Sequence, residues 1–383
     1  IMLKPDFAEA YSNLGNTLHE RGRLDGASAN SRQAIMLKPD FAEAYSNLGN
    51  TLYELGNLDE AEANCRQAIA LKPDYTKALH NLSFVLSYKN NLEAEIVSLK
   101  NILQIDSDNY GLRAGVNLAI CDFLNGNFEE SKAHLLEAAK IQEKTSPKFR
   151  AEQSYWRYLS NILKWHENKY FDIKKGKSDK TLFVIGESHS LAMHYLHIHW
   201  SGTDYFCESR LIKGCMQWHL GNSSKNQYKN QFENILSALP RASKVLLTIG
   251  EIDCRLDNGI IKHKNKFPEK LIEEIIATTV ENYLTYIIKN NSSCRHDIFI
   301  QGVPCPSIDA ANYSKKEIQQ LIEVIKKFNC ELKEKSKNKG FGFLDVHKLT
   351  DRGDGFSNTI WHIDNRHLSP GGMLEAWNRY ASV

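Results

Sequence analysis

Residues 1–19, IMLKPDFAEAYSNLGNTLH, recur almost letter for letter at 35–53, and Pro5, Pro39 and Pro73 fall at a strict spacing of 34. A chain that repeats at this period cannot bury the apolar stripe of one copy within that copy. It must stack successive copies, and 34 residues accommodate two short helices and a turn. In the cleanest copy, Tyr45, Leu48, Gly49 and Leu52 share one face of a first helix, and Ala61, Cys65 and Ala68 share one face of a second. Gly49 and Ala61 are small enough to let the helices approach closely, and Pro73 ends the unit by denying the next helix an N–H.

These large-aromatic, Leu-Gly, small and Pro positions, present in two consecutive copies, resemble the tetratricopeptide family. A third unit keeps Leu79, Leu82 and Leu86 but has Ser83 in place of the Gly. A fourth runs through Leu118, Ala119 and the turn Asn125-Gly126-Asn127, shifted by two residues. The apolar, aromatic stretch from Phe149 to Trp165 is expected to cap the stack, since end repeats must cover an open core face. The array is thus assigned to 1–168, a linker to 169–180, and a second domain to 181–383. The resemblance implies a protein or peptide partner in the concave groove, where Asn13, Asn16, Asn47 and Asn50 would face it. The competing reading is a spacer or oligomerisation element.

The texture changes after the linker. Thr181–Gly186, Lys244–Gly250, Asp297–Val303 and Phe341–Val346 are short, apolar, β-branched runs, and Tyr205–Phe206 begins a fifth. Helical patterns at 269–289 and 315–337 separate them. Strands apolar throughout, alternating with helices, predict an α/β domain with a mostly parallel sheet covered on both faces, three layers in all. In such sheets functional residues gather beyond the carboxyl ends of the strands.

Three polar clusters fall at such ends: Gly186-Glu187-Ser188-His189-Ser190, Gly250-Glu251-Ile252-Asp253-Cys254-Arg255, and Asp364-Asn365-Arg366-His367-Leu368-Ser369-Pro370. A serine hydroxyl becomes a useful nucleophile only when a base takes its proton, and the base needs an acid partner to fix its tautomer. Asp and His three residues apart, on a turn into a helix, can supply both. Ser188, at a strand-to-helix turn, would offer its hydroxyl and its own N–H where negative charge develops.

Together these blocks resemble the SGNH (GDSL-type) hydrolases, over roughly 181–383. The family's Gly-Asp-Ser stands here as Gly186-Glu187-Ser188, and its Asp-x-x-His as Asp364 and His367, followed by Leu-Ser-Pro. The resemblance implies a flavodoxin-like fold, Ser188 as nucleophile, His367 as general base, Asp364 as orienting carboxylate and Gly214 as an oxyanion donor, with Gly221 behind it. The family's Gly-x-Asn-Asp block departs, because Ile252 occupies the Asn position and cannot donate. Arg255 is expected to supply a donor instead, with Asp253 either holding Arg255 or bonding the Ser188 loop; a purely structural Asp253–Arg255 ion pair is the alternative. The activity expected is serine-dependent ester hydrolysis or O-acyl transfer, acting on an ester-bearing small molecule or a carbohydrate O-acyl group, without metal or organic cofactor. The rival class is a non-catalytic scaffold.

Composition narrows the field further. A net charge of +2 without a dense basic stripe argues against nucleic acid as partner. The longest apolar runs are strand-sized, so no membrane span is expected. Eight scattered Cys suggest reduced thiols and a cytoplasmic setting. His194, His197 and His199 invite a metal reading, but no Cys or acidic residue is spaced to complete a shell, and an amphipathic helix is expected there. Cys254 and Cys305 offer a thiol alternative at strand ends. No nucleotide-sugar or phosphate-loop residues are found.

Overall fold

The computed structural model describes residues 6–142, 150–169 and 180–381. The chain divides into two compact units, Ile1–Trp156 with Ser224–Asn234, and Arg157–Ser223 with Ile235–Val383.

In the first unit, eight helices pair as α1 (Asp6–Glu20) with α2 (Leu24–Leu37), α3 (Ala42–Glu54) with α4 (Leu58–Leu71), α5 (Thr76–Tyr88) with α6 (Leu92–Ile105), and α7 (Ser107–Leu124) with α8 (Phe128–Gln142). Each intra-pair turn carries one left-handed residue: Gly22, Gly56, Asn90 and Gly126. Gly49 shows why the pairs need a small residue. A Cβ there would lie 2.6 Å from Cys65 Sγ and 3.2 Å from the Ala61 carbonyl oxygen. Successive repeats are stitched by side chains. Asn47 donates to Ser12 Oγ (3.1 Å) and accepts from Lys77 (2.9 Å), and Asn50 meets His19 Nε2 at 3.0 Å. These two asparagines therefore hold the array together, whereas the sequence suggested peptide contacts.

The domain limits differ from the expected ones. Helix α9 (Arg150–Lys169) is not wholly a cap on the repeats. Trp156 donates to the Leu135 carbonyl in the first unit, but from Arg157 onward the helix belongs to the second, where Asn161 donates to the Ile363 carbonyl. Conversely, 224–234 belongs with the repeats: Gln231 donates to the Ser87 carbonyl, and the Tyr228 ring meets Tyr88. Apart from its ends, the expected linker at 169–180 lies outside the described residues.

The second unit is a mixed α/β fold around a six-stranded sheet of order β2-β3-β1-β4-β5-β6. The strands are β1 (Thr181–Gly186), β2 (His197–Trp200), β3 (Thr203–Leu211), β4 (Lys244–Thr248), β5 (Asp297–Gln301) and β6 (Gly342–Leu344). All pair in parallel except β2, which is antiparallel to β3. Residues 245–248 and 298–301 are buried without alternation, as a sheet covered on both faces requires. Helices α10 (Gln217–Gly221), α11 (Gln227–Ala238, of the second unit only from Ile235 onward), α12 (Gly259–Lys266), α13 (Ile272–Asn291), α14 (Lys315–Asn338), α15 (Val346–Thr350) and α16 (Pro370–Ala381) follow. Helix α14 starts at a capping box in which Ser314 Oγ accepts from Glu317 N–H and Glu317 reaches back. Trp377 of α16 is fully buried against Phe299 and Trp200.

The histidine cluster is not helical. His197 and His199 lie in edge strand β2, and Ser201 and Gly202, both at positive φ, turn the chain into β3. No helix among the described residues is long and apolar enough to cross a membrane.

Candidate functional site

From β1 the chain runs on one side to β3 and, through the later strands, on the other to β4, so the carboxyl ends of β1 and β4 flank the point where strand order reverses. Gly186 closes β1 against β4 so tightly that a Cβ would stand 2.0 Å from Thr248 Oγ1. Glu187 then continues extended, and Ser188–Met193 forms a single short 3-10 helix, where the sequence suggested the start of a longer helix. Ser188 and its neighbours are buried.

The last polar cluster comes to the same place. Asp364 Oδ1 accepts the N–H groups of Arg366 (2.8 Å) and His367 (2.7 Å), a turn that folds the carboxylate back onto the imidazole. His367 Nδ1 lies 2.7 Å from Asp364 Oδ2, and His367 Nε2 lies 2.8 Å from Ser188 Oγ. The Tyr158 ring stacks on His367 with centroids 3.9 Å apart and planes 19° from parallel. Burial would raise the Asp364 carboxyl, but the His367 hydrogen bond and charge, with the two backbone donors, hold it at about 2. An ionised Asp364 keeps the hydrogen on Nδ1 and leaves Nε2 free to accept from Ser188.

A second carboxylate reaches the same hydroxyl. Glu187 Oε2 is 2.6 Å from Ser188 Oγ, Glu187 Oε1 is 2.6 Å from His189 Nδ1, and His189 Nε2 is 3.1 Å from the Arg366 carbonyl oxygen. Burial opposes both charges, yet the Glu187–His189 attraction outweighs it: Glu187 is held at about 2 and His189 is raised to about 9.

Beyond β4, the expected partnership of Asp253 and Arg255 does not form. Arg255 Nε faces both oxygens of Glu251, at 3.0 and 2.9 Å. Asp253 instead accepts the backbone N–H groups of Gln217 (2.7 Å) and Trp218 (3.1 Å), anchoring α10. Burial pushes Asp253 up to about 7, with the two N–H donors pulling the other way. Gly214, at φ +72°, makes the turn into that segment, and no acceptor faces its N–H among the described residues. Ile212, two residues earlier, donates to the Gly186 carbonyl oxygen (2.7 Å), which places this turn beside the end of β1, and the adjoining Cys215 thiol is pushed well up by burial and then by the Asp253 and Glu187 carboxylates. Gly221 packs against α13, a Cβ there falling 2.9 Å from Asn282 Cβ, a structural position.

Ser188, His367 and Asp364 are thus brought together; Asp253 is bonded to the backbone of α10 and Arg255 is committed to Glu251. Sequence reasoning gave no role to Glu187, His189 or Tyr158. Cys254 and Cys305 are no thiolates at neutral pH, since burial pushes the first well up and the second to about 12. Ligand atoms of Glu187, His189 and His367 lie within 4.8 Å of one another, as do those of Cys305, His347 and Asp351. In the first group those atoms already face hydrogen-bond partners; in the second, Asp351 Oδ1 accepts from Gly353 and Gly355. A cleft of about 320 Å³ is lined by Asn365, Arg366, Arg255, Pro304, Tyr313 and Ile325 among others.

Two family models match, TPR repeat at residues 15–56 and tetratricopeptide repeat at 42–75. No curated protein matches the chain. Among solved structures, MamA is 23% identical over 37% of this chain and 81% of its own, with a TM-score of 0.35. PilF of Pseudomonas aeruginosa is 20% identical over 43% and 72%, with a TM-score of 0.38. YrrB, a TPR protein with an unusual peptide-binding site, is 18% identical over 42% and 78%, with a TM-score of 0.34. With the 34-residue period and the four helix pairs, the two family matches make the first ~140 residues an array of tetratricopeptide repeats.

Proposed function

We propose that the α/β unit is a serine-dependent ester hydrolase or O-acyl transferase of the SGNH (GDSL-type) kind, acting on a carboxylic ester such as an O-acetyl group of a carbohydrate. The observation that carries this reading is the Ser188–His367–Asp364 relay, with contacts of 2.8 and 2.7 Å. In the proposed reaction, Ser188 Oγ attacks the ester carbonyl while His367 Nε2 takes its proton. The imidazolium, stabilised by Asp364, then protonates the leaving alcohol. Water or an acceptor alcohol, deprotonated by the same nitrogen, releases the acyl group. The uncommitted Gly214 N–H and the Ser188 N–H are the proposed oxyanion donors. Ile252 supplies none, and loss of one such donor costs about 3 kcal/mol in other enzymes, so a modest rate is expected. The repeat array, by its family, would hold a protein or peptide partner.

The test is hydrolysis of p-nitrophenyl acetate by the wild type and Ser188→Ala, with labelling of Ser188 by a fluorophosphonate read by intact mass. Loss of turnover and label in the variant supports the reading. Equal rates, or a wild type that neither turns over nor labels, leaves the non-catalytic scaffold.

A further inference from the structure

Ser188 Oγ has two close partners, and only one belongs to the relay above. Five contacts run in series: the Arg366 carbonyl oxygen to His189 Nε2, His189 Nδ1 to Glu187 Oε1, Glu187 Oε2 to Ser188 Oγ, Ser188 Oγ to His367 Nε2, and His367 Nδ1 to Asp364 Oδ2. Their lengths are 3.1, 2.6, 2.6, 2.8 and 2.7 Å. Two lone-pair atoms held this close need one hydrogen between them. Neutral imidazoles, one hydroxyl and two carboxylates supply three hydrogens for the five contacts. One more proton, on His189, serves the fourth contact, and the fifth is met by sharing the Ser188 hydrogen between Glu187 and His367.

The places of most of these protons follow from chemistry. A carbonyl only accepts, so His189 Nε2 carries hydrogen. Asp364, already accepting two backbone N–H groups, leaves hydrogen on His367 Nδ1. Glu187, held ionised, only accepts: the His189–Glu187 contact takes its hydrogen from His189, and the single Ser188 hydrogen is contested between Glu187 Oε2 and His367 Nε2. In that state His189 carries two hydrogens. It does so whichever of the two acceptors the Ser188 hydrogen faces.

We propose that Glu187 and His189 are a second acid–imidazole pair acting on Ser188, in which His189, held as the imidazolium, is a positioning residue that cancels the charge of Glu187 and keeps the Ser188 proton available to His367. This rests on Ser188 being the nucleophile. As the bond from Oγ to the acyl carbon forms, the single Oγ proton passes to His367 Nε2 and the pair keeps its own protons. Without His189, Glu187 is a buried carboxylate whose remaining partner is the Ser188 hydroxyl, and that hydroxyl turns away from the base. The other titratable groups facing the pair are Glu251 and Arg255, bonded to each other, with His362, Asp253 and the Cys215 thiol. The pKa directions agree: His189 is raised in spite of burial, and Glu187 is lowered.

Two measurements on the full chain decide it. In nitrogen-15 histidine spectra, assigned with His189→Asn, the wild-type His189 ring should keep both nitrogens protonated up to pH 8 and lose one in Glu187→Gln at that pH. A neutral ring at pH 7 overturns the proposal. In p-nitrophenyl acetate kinetics, His189→Asn should lower kcat on the order of 100-fold with little change in KM. Glu187→Gln/His189→Asn should recover at least tenfold of that loss, because the uncompensated charge is gone; losses that multiply instead overturn the charge-cancelling role. A wild type that neither turns over nor labels removes the nucleophile reading and with it the role on Ser188, while the spectra still report whether the ion pair exists.

Discussion

Replacing Asp364 with Asn changes one atom and reverses the direction of the relay. The carboxylate accepts three donors: the Arg366 N–H, the His367 N–H and His367 Nδ1. The two backbone donors converge on Oδ1, so an Asn would keep its carbonyl oxygen there and turn its NH2 toward the imidazole. His367 Nδ1 must then accept, the ring hydrogen moves to Nε2, and Nε2 can no longer take the proton of Ser188. The same tautomer fault in a serine protease costs about 10⁴ in kcat, or roughly 5.5 kcal/mol at about 1.36 kcal/mol per decade. Folding should suffer less. A carboxyl held at about 2 against an ordinary 3.8 corresponds to roughly 2 kcal/mol of native-state stability at neutral pH, and Asn retains the backbone share of it. Because the folded value is depressed, that contribution is complete above about pH 4 and disappears as pH falls through 2. The assay is p-nitrophenyl acetate hydrolysis from pH 5 to 9 beside thermal unfolding. A variant within tenfold of the wild-type kcat, with an unchanged melting temperature, would refute the role of Asp364.

Tyr158→Ala should cost about 3–5 kcal/mol of unfolding free energy, since it empties a fully buried ring site against His367, while Tyr158→Phe keeps the stack and costs much less. Gly49→Ala should destabilise the repeats by about 1–3 kcal/mol in urea unfolding, because its Cβ would overlap Cys65 Sγ. Asp253→Asn offers one acceptor to two backbone donors and should cost about 1–3 kcal/mol, seen as faster hydrogen exchange at Gln217 and Trp218. The stability difference between wild type and His189→Asn should be complete below about pH 6.5 and shrink as pH rises through 9. The raised folded-state pKa of His189 sets that sign, and melting temperatures against pH read it.

The repeats were legible because one physical demand, close contact between paired helices, recurs at a fixed period with the same small residues. The parallel strands were legible for a related reason: runs such as Val245–Ile249 are apolar without alternation. Strand β2 was missed because His197-Ile198-His199-Trp200 is too short to establish a period of two. Its signal lay next door, in Ser201-Gly202, a pair suited to the positive φ angles of a tight hairpin. The boundary inside α9 and the allegiance of 224–234 rest on contacts between residues more than a hundred positions apart, Gln231 with Ser87 for example, which no local pattern encodes.

The site shows the same division between local and distant information. Asp364 and His367 form their contact within a single turn, so their spacing alone announced it. The Arg255 partner was equally local, since Glu251 lies four residues earlier at a spacing suited to ion pairs, yet the adjacent Asp253 drew attention as the nearer charge. What fixed the outcome was burial: Asp253, fully buried, needs donors that cost no mobile side chain, and the backbone of Gln217 and Trp218 supplies two. Those bonds hold the segment that follows Gly214. On the proposed mechanism, a donor missing at Ile252 puts more weight on how rigidly that turn is held, and Asp253 is the residue that holds it. Glu187 and His189 were invisible for a different reason. A single i,i+2 pair is too short to establish a period, and becomes a contact only because the chain leaves β1 extended at Glu187 and coils at once into a 3-10 turn.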